Sequence, residues 1–124
     1  MITADEILKK AKSVYSVCEQ EPSTSCCLEL DLRDCARSAY YYIFHIGKMR
    51  ADKIDGEYDE NVGNHQRVIN KLLNSSDQND QALGDLLLKI RPTRVKADYR
   101  LNINFTKNEA YKLLRHAEKL TIRS

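Results

Sequence analysis
Apolar residues recur along this chain every three or four positions, in stretches separated by short polar breaks, and no stretch alternates strictly enough to make a convincing strand. Thr3-Ala-Asp-Glu6 is a capping box, in which the hydroxyl takes an orphan amide and the carboxylate reaches back. Ile7, Ala11, Val14 and Cys18 follow at helical spacing, which predicts a first helix over about residues 4–19. Glu21-Pro22-Ser23-Thr24-Ser25 reads as a loop, and the pattern restarts near Glu29 to give the longest helix, ending between Met49 and Asp52. Lys53 to Asn64, with Gly56 and Gly63 among acids and amides, reads as a solvated loop. Val68, Ile69, Leu72 and Leu73 mark a short third helix, and Leu83, Leu86, Leu87 and Ile90 a fourth that meets Pro92. A proline there removes an amide and presses on the preceding turn, so a kink or break is expected, with Pro92 opening a new turn that carries Ala97 and Tyr99. A second capping box, Thr106-Lys-Asn-Glu109, precedes Ala110, Leu113, Leu114, Ala117 and Leu120. The expected fold is all-α: one domain over residues 1–124, an antiparallel bundle of four to five helices.

At 124 residues the chain is long enough to bury a core without staples. No uncharged apolar run approaches a membrane span and the first residues carry acid, so a cytoplasmic protein with no membrane contact is expected. The net charge of +2 conceals an asymmetry: residues 1–88 hold 10 basic and 15 acidic side chains, residues 89–124 hold 10 and 3. A basic C-terminal quarter can face nucleic acid, or pair with the acidic body of the same chain or of a second copy.

Cys18, Cys26, Cys27 and Cys35 are spaced C-x7-C-C-x7-C. That spacing lacks the tight knuckle of a zinc site, so small apolar packing at Cys18 and Cys35 and incidental thiols at Cys26 and Cys27 are expected, with no metal and no cofactor.

On the longest helix, Leu32, Cys35, Ala36, Ala39, Ile43 and Ile46 fall in one stripe, the natural core face. Arg37, Tyr41 and His45 form a row opposite it, flanked by Tyr40 and Phe44. Large aromatics cluster where something covers them, so another helix or a second subunit is expected over this flank; alternatively the bundle wraps round the helix and buries both faces. A second cluster is Arg91-Pro-Thr-Arg94-Val-Lys96-Ala-Asp98-Tyr99-Arg100. Arg94 and Asp98 stand four apart, as in an intrahelical ion pair, while Arg91, Arg94, Lys96 and Arg100 beside Tyr99 could hold phosphates with a base stacked on the ring.

These residues carry a resemblance. Tyr40-Tyr41-x-x-Phe44-His45, then His65-x-x-Val68-Ile69, then Ala97-Asp98-Tyr99 followed by Phe105-Thr106 and a last amphipathic helix, resemble a branch of the HEPN superfamily over most of the chain. The resemblance implies a helical bundle that commonly dimerises. It also implies an origin beside nucleotidyltransferases or within toxin–antitoxin and antiviral defence systems, where some members are metal-independent ribonucleases. Those ribonucleases carry R-x4–6-H; here Arg37 and His45 have seven residues between them, and Arg115 adjoins His116. Eight helical positions are a rise of about 12 Å. His116 is expected at the surface, and His65 as a cap or packing residue rather than a base.

The leading expectation is a HEPN-like protein that acts by association, as a homodimer or the small subunit of a bacterial defence or toxin–antitoxin complex, RNA-linked and without the ribonuclease motif. Its contact residues would be Arg37, Tyr41, His45, Arg91, Arg94, Asp98 and Tyr99. The alternative is a divergent metal-independent ribonuclease using His45 as acid or base, with Arg37 and Arg94 stabilising charge. A nucleotide-binding regulator holding phosphates on Arg91 to Arg100 is the third, relying on side chains because no Gly-rich phosphate loop is present.

Overall fold
Caps set the starts of the helices. The Glu6 amide donates to Thr3 Oγ1 at 3.2 Å and the Thr3 amide to Glu6 Oε2 at 3.4 Å, closing the first capping box. Asp77 accepts from the Asn79 amide at 2.8 Å, and Thr106 from the Glu109 amide at 3.2 Å. The computed structural model describes residues 2–20 and 26–123, and the side chains of 2–17 and 28–120. Among the described residues the chain is helical, without a strand: α1 Ala4–Gln20, α2 Cys26–Asp52, α3 Asn64–Leu73, α4 Gln78–Tyr99 and α5 Lys107–Arg123.

The α2 helix is the axis of the bundle and packs against each of the other four. Its expected core stripe is buried at Leu32, Cys35, Ala36, Ala39 and Ile43, with Tyr42 beside it; Tyr40 and Phe44 are buried too, because α3 and α4 cover a second side. From α1 come Leu8 and Ala11, and the Cys35 thiol donates to the Ala11 carbonyl at 3.3 Å. Cys35 is thus the packing residue expected, while the side chains of Cys18, Cys26 and Cys27 lie outside the described residues. Antiparallel register between α2 and α4 is fixed by two ion pairs, Arg37 with Asp98 and Arg50 with Asp80. Between them Gly47 lets the helices close: a Cβ there would sit 2.9 Å from Leu87 Cδ1 and 3.3 Å from Leu72 Cδ1.

The break expected at Pro92 does not occur, and α4 runs through it as one helix. The carbonyl that Pro92 cannot bond belongs to Leu88, and both residues face solvent, so water can satisfy it. The loop after α2 is also less free than its composition suggests. The Tyr58 hydroxyl donates to Asp52, the Lys71 ammonium lies 4.3 Å from the Tyr58 ring centre, and Arg67 Nε donates to the Val62 carbonyl at 2.8 Å.

The C-terminal end of α4 is held by a buried arginine. Arg33 donates to the carbonyls of Lys96 at 2.8 Å, Ala97 at 3.1 Å, Arg100 at 3.0 Å and Ile103. Its charge is met by Glu29 at 3.1 Å, which also accepts from the Phe105 amide at 2.8 Å. The Phe105 backbone bond and the Arg33 pairing hold the Glu29 carboxyl below its ordinary range. One guanidinium therefore satisfies the helix's orphan carbonyls and fixes the turn into α5.

Candidate interaction face on α2 and α4
That clasp positions the last turns of α4 against α2, where one carboxylate serves two arginines. Asp98 Oδ1 is 2.8 Å from Arg37 Nε and Asp98 Oδ2 is 2.8 Å from Arg94 Nε. Both Nε atoms are buried, and their N–H bonds are poorly aligned on the oxygens, so these are close ionic contacts rather than straight hydrogen bonds. Arg37 also reaches Asp34 at 2.7 Å. The Arg94 guanidinium lies 5.7 Å from the ring centres of both Tyr40 and Tyr99, and the Tyr41 hydroxyl acts on its charge. Burial opposes the Arg94 charge, but Asp98 and Tyr41 outweigh it and raise its pKa.

Beneath these groups is an aromatic layer. The buried Tyr40 hydroxyl and His65 Nδ1 are hydrogen-bonded at 2.9 Å, and the His65 ring stacks on Phe44 with centres 4.3 Å apart. Burial raises the Tyr40 pKa against the pull of Arg94 and Arg91. Burial, then the same two arginines, lowers that of His65, so a phenol and a neutral imidazole share the bond near neutral pH. Arg91 donates to Gln66 on α3 at 2.9 Å, tying that helix to the cluster.

Most of the sequence-predicted residues come together. Arg37, Tyr41, Arg94, Asp98 and Tyr99 form one cluster; Arg91 joins through α3, and His45 stands at its end with its ring 6.4 Å from that of Tyr41. Arg94 faces the Arg37 row and Asp98 at once. Tyr40 and Phe44, expected beneath another helix or a second subunit, are covered by α3 and α4 of the same chain. Tyr41 and Tyr99 remain exposed, at 39% and 67%. The basic run does not stay together: Lys96 and Arg100 line an outer groove with Leu88, Val95 and Ile103, which Arg91 borders from the cluster side. The helix carries Lys96 and Arg100 to a different side from the Asp98 pairing of Arg94.

His65 is a packing residue, as one of the expected readings had it, but not the cap, which is Gly63. His116, expected at the surface, is half-buried at a cleft between α4 and α5. Arg33 escaped the sequence reading, although it precedes Arg37, Tyr40 and Phe44 at helical spacing and so lies on the covered flank. Among the described residues no group of three or more His, Cys, Asp or Glu side chains is placed to hold a metal ion, and no helix is long and apolar enough to cross a membrane.

A scan against protein-family models finds no match, and searches of curated proteins and of solved structures find none either.

Proposed function
We propose that this chain is a HEPN-like association module that forms a homodimer through the α2/α4 face of Arg37, Tyr41, His45, Arg94, Asp98 and Tyr99. The observation that carries the reading is charge balance within an exposed Arg–Tyr surface: Arg37 and Arg94 are matched by Asp34 and Asp98. A symmetric dimer places a patch against itself, so a patch of one sign would repel its copy, whereas a balanced one does not. Arginine and tyrosine are also the residues that anchor interfaces, and these are held in place before binding. A phosphate backbone instead favours cations free to meet it, and the two arginines beside the row are already engaged. His45 contacts the rings of Tyr41 and Phe44, with Tyr41 between it and Arg94, an arrangement of packing more than of acid–base chemistry. A place in a bacterial defence or toxin–antitoxin complex, as its small subunit or beside a nucleotidyltransferase, follows from the resemblance alone.

Sedimentation equilibrium tests the reading. The wild-type chain is expected at twice 14.3 kDa and Tyr41→Glu at 14.3 kDa with unchanged helical circular dichroism. A monomeric wild type contradicts it. Cleavage of transfer RNA in EDTA, lost in His45→Ala, would instead establish the ribonuclease.

A further inference from the structure
A cleft in the bundle lies away from the Asp98 cluster. It measures about 510 Å³ and opens between α4 and α5 because both pack closely on α2 but touch each other little. Its walls are apolar at Ile46, Leu83, Leu86 and Leu120. Its polar rim holds Arg50 from α2, Asn79 from α4, and His116 and Lys119 from α5. Asp80 pairs with Arg50 at 3.4 Å and accepts from the Ser75 hydroxyl at 3.0 Å. The charged groups acting on half-buried His116 are Lys89 from α4 and Lys119 from its own helix, both of the sign that opposes its protonation. A cleft of this volume, with an apolar body and a few convergent polar groups, has the build of a small-molecule site.

We propose that this cleft binds a small organic anion with an apolar body, its carboxylate, sulfonate or phosphate held among Arg50, His116 and Lys119 and its hydrocarbon part against Leu83 and Leu86. The apolar walls supply affinity, while Lys119, helped by the solvated edge of Arg50 and an imidazole N–H of neutral His116, selects the charge. A neutral apolar molecule gains only the first contribution, and inorganic phosphate only the second.

The test titrates the full chain with 8-anilinonaphthalene-1-sulfonate and, as an uncharged counterpart, N-phenyl-1-naphthylamine, both followed by fluorescence. The sulfonate is expected to bind saturably, one per chain, and to shift the amide signals of Leu83, Leu86 and His116. Lys119→Glu, at an exposed position, is expected to weaken the sulfonate roughly tenfold and leave the neutral probe unchanged. Ala82→Trp, also at an exposed position, fills the cleft and is expected to abolish both. Either variant suffices if the other fails to fold by circular dichroism. Absence of saturable binding to the wild type, equal sulfonate affinity in Lys119→Glu, or signals shifting at Tyr41 and Tyr99 instead would overturn the assignment. None of these outcomes depends on whether the chain dimerises.

Discussion
The two ends of the α2/α4 seam are built from the same pair of residue types and come out differently. At each, an arginine of α2 meets an aspartate of α4: Arg37 with Asp98 at 2.8 Å, Arg50 with Asp80 at 3.4 Å. At the Asp98 end a second arginine and a stacked histidine hydrogen-bonded to Tyr40 fill the space, and Arg33 clamps the backbone behind them. At the Asp80 end the supporting partner is a serine hydroxyl, and a cleft opens beside the pair. An ion pair alone does not close a helix seam; what surrounds it decides whether the surface is a firm face or a cavity. A firm face suits a protein partner, since little order remains to be imposed on binding.

Arg33 is the sharpest point at which to break this contrast. Arg33→Ala leaves several carbonyls and Glu29 without their donor in a buried place, and is expected to cost about 3 kcal/mol or more in urea unfolding. If Arg33→Met is neutral, the Asp98 end is held by apolar packing and the contrast fails. A smaller effect separates the two aspartates. Asp98→Asn strips the carboxylate from two arginines and is expected to cost about 1–2 kcal/mol, whereas Asp80→Asn stays under about 1 kcal/mol because its single arginine is well solvated. Equal losses would mean that the second arginine adds nothing.

The smallest effect unites the two ends. Burial and two neighbouring cations lower both histidines, His65 by way of Arg94 and Arg91, His116 by way of Lys89 and Lys119. A histidine lowered by folding binds its proton more readily in the unfolded chain. Its contribution is therefore complete above the ordinary value of 6.5 and is lost as pH falls below that towards the folded midpoint. Imidazole proton signals should titrate below 6.5 for both residues, and thermal stability should decline on acidification through that range. A midpoint above 6.5 at either histidine would contradict the packing described around it.

Helix order and most boundaries were readable in the sequence because capping boxes and three-to-four spacing are local signals, and both boxes occupy the expected places. That α4 does not break at Pro92 has a local reason: the cost of the proline depends on whether the freed carbonyl of Leu88 meets water or protein, which only the assembled bundle decides. The row Arg37, Tyr41, His45 was visible as a periodicity, and the Arg94–Asp98 pair as a spacing of four. Their convergence on one carboxylate depends on the antiparallel register of helices some sixty residues apart in the chain, as do the carbonyls that Arg33 reaches. The cleft had no sequence signal, since Ile46, Leu83 and Leu86 read as ordinary core positions until α5 is seen to lean on α2 rather than α4.

A photo-crosslinking amino acid placed at Tyr41, with Ala82 in the cleft as the comparison site, tests the association face most directly. The expected result is a covalent dimer of twice 14.3 kDa from position 41 and none from position 82. No dimer from position 41, or equal yields from the two sites, would contradict the assignment of the α2/α4 face as the surface through which this chain associates.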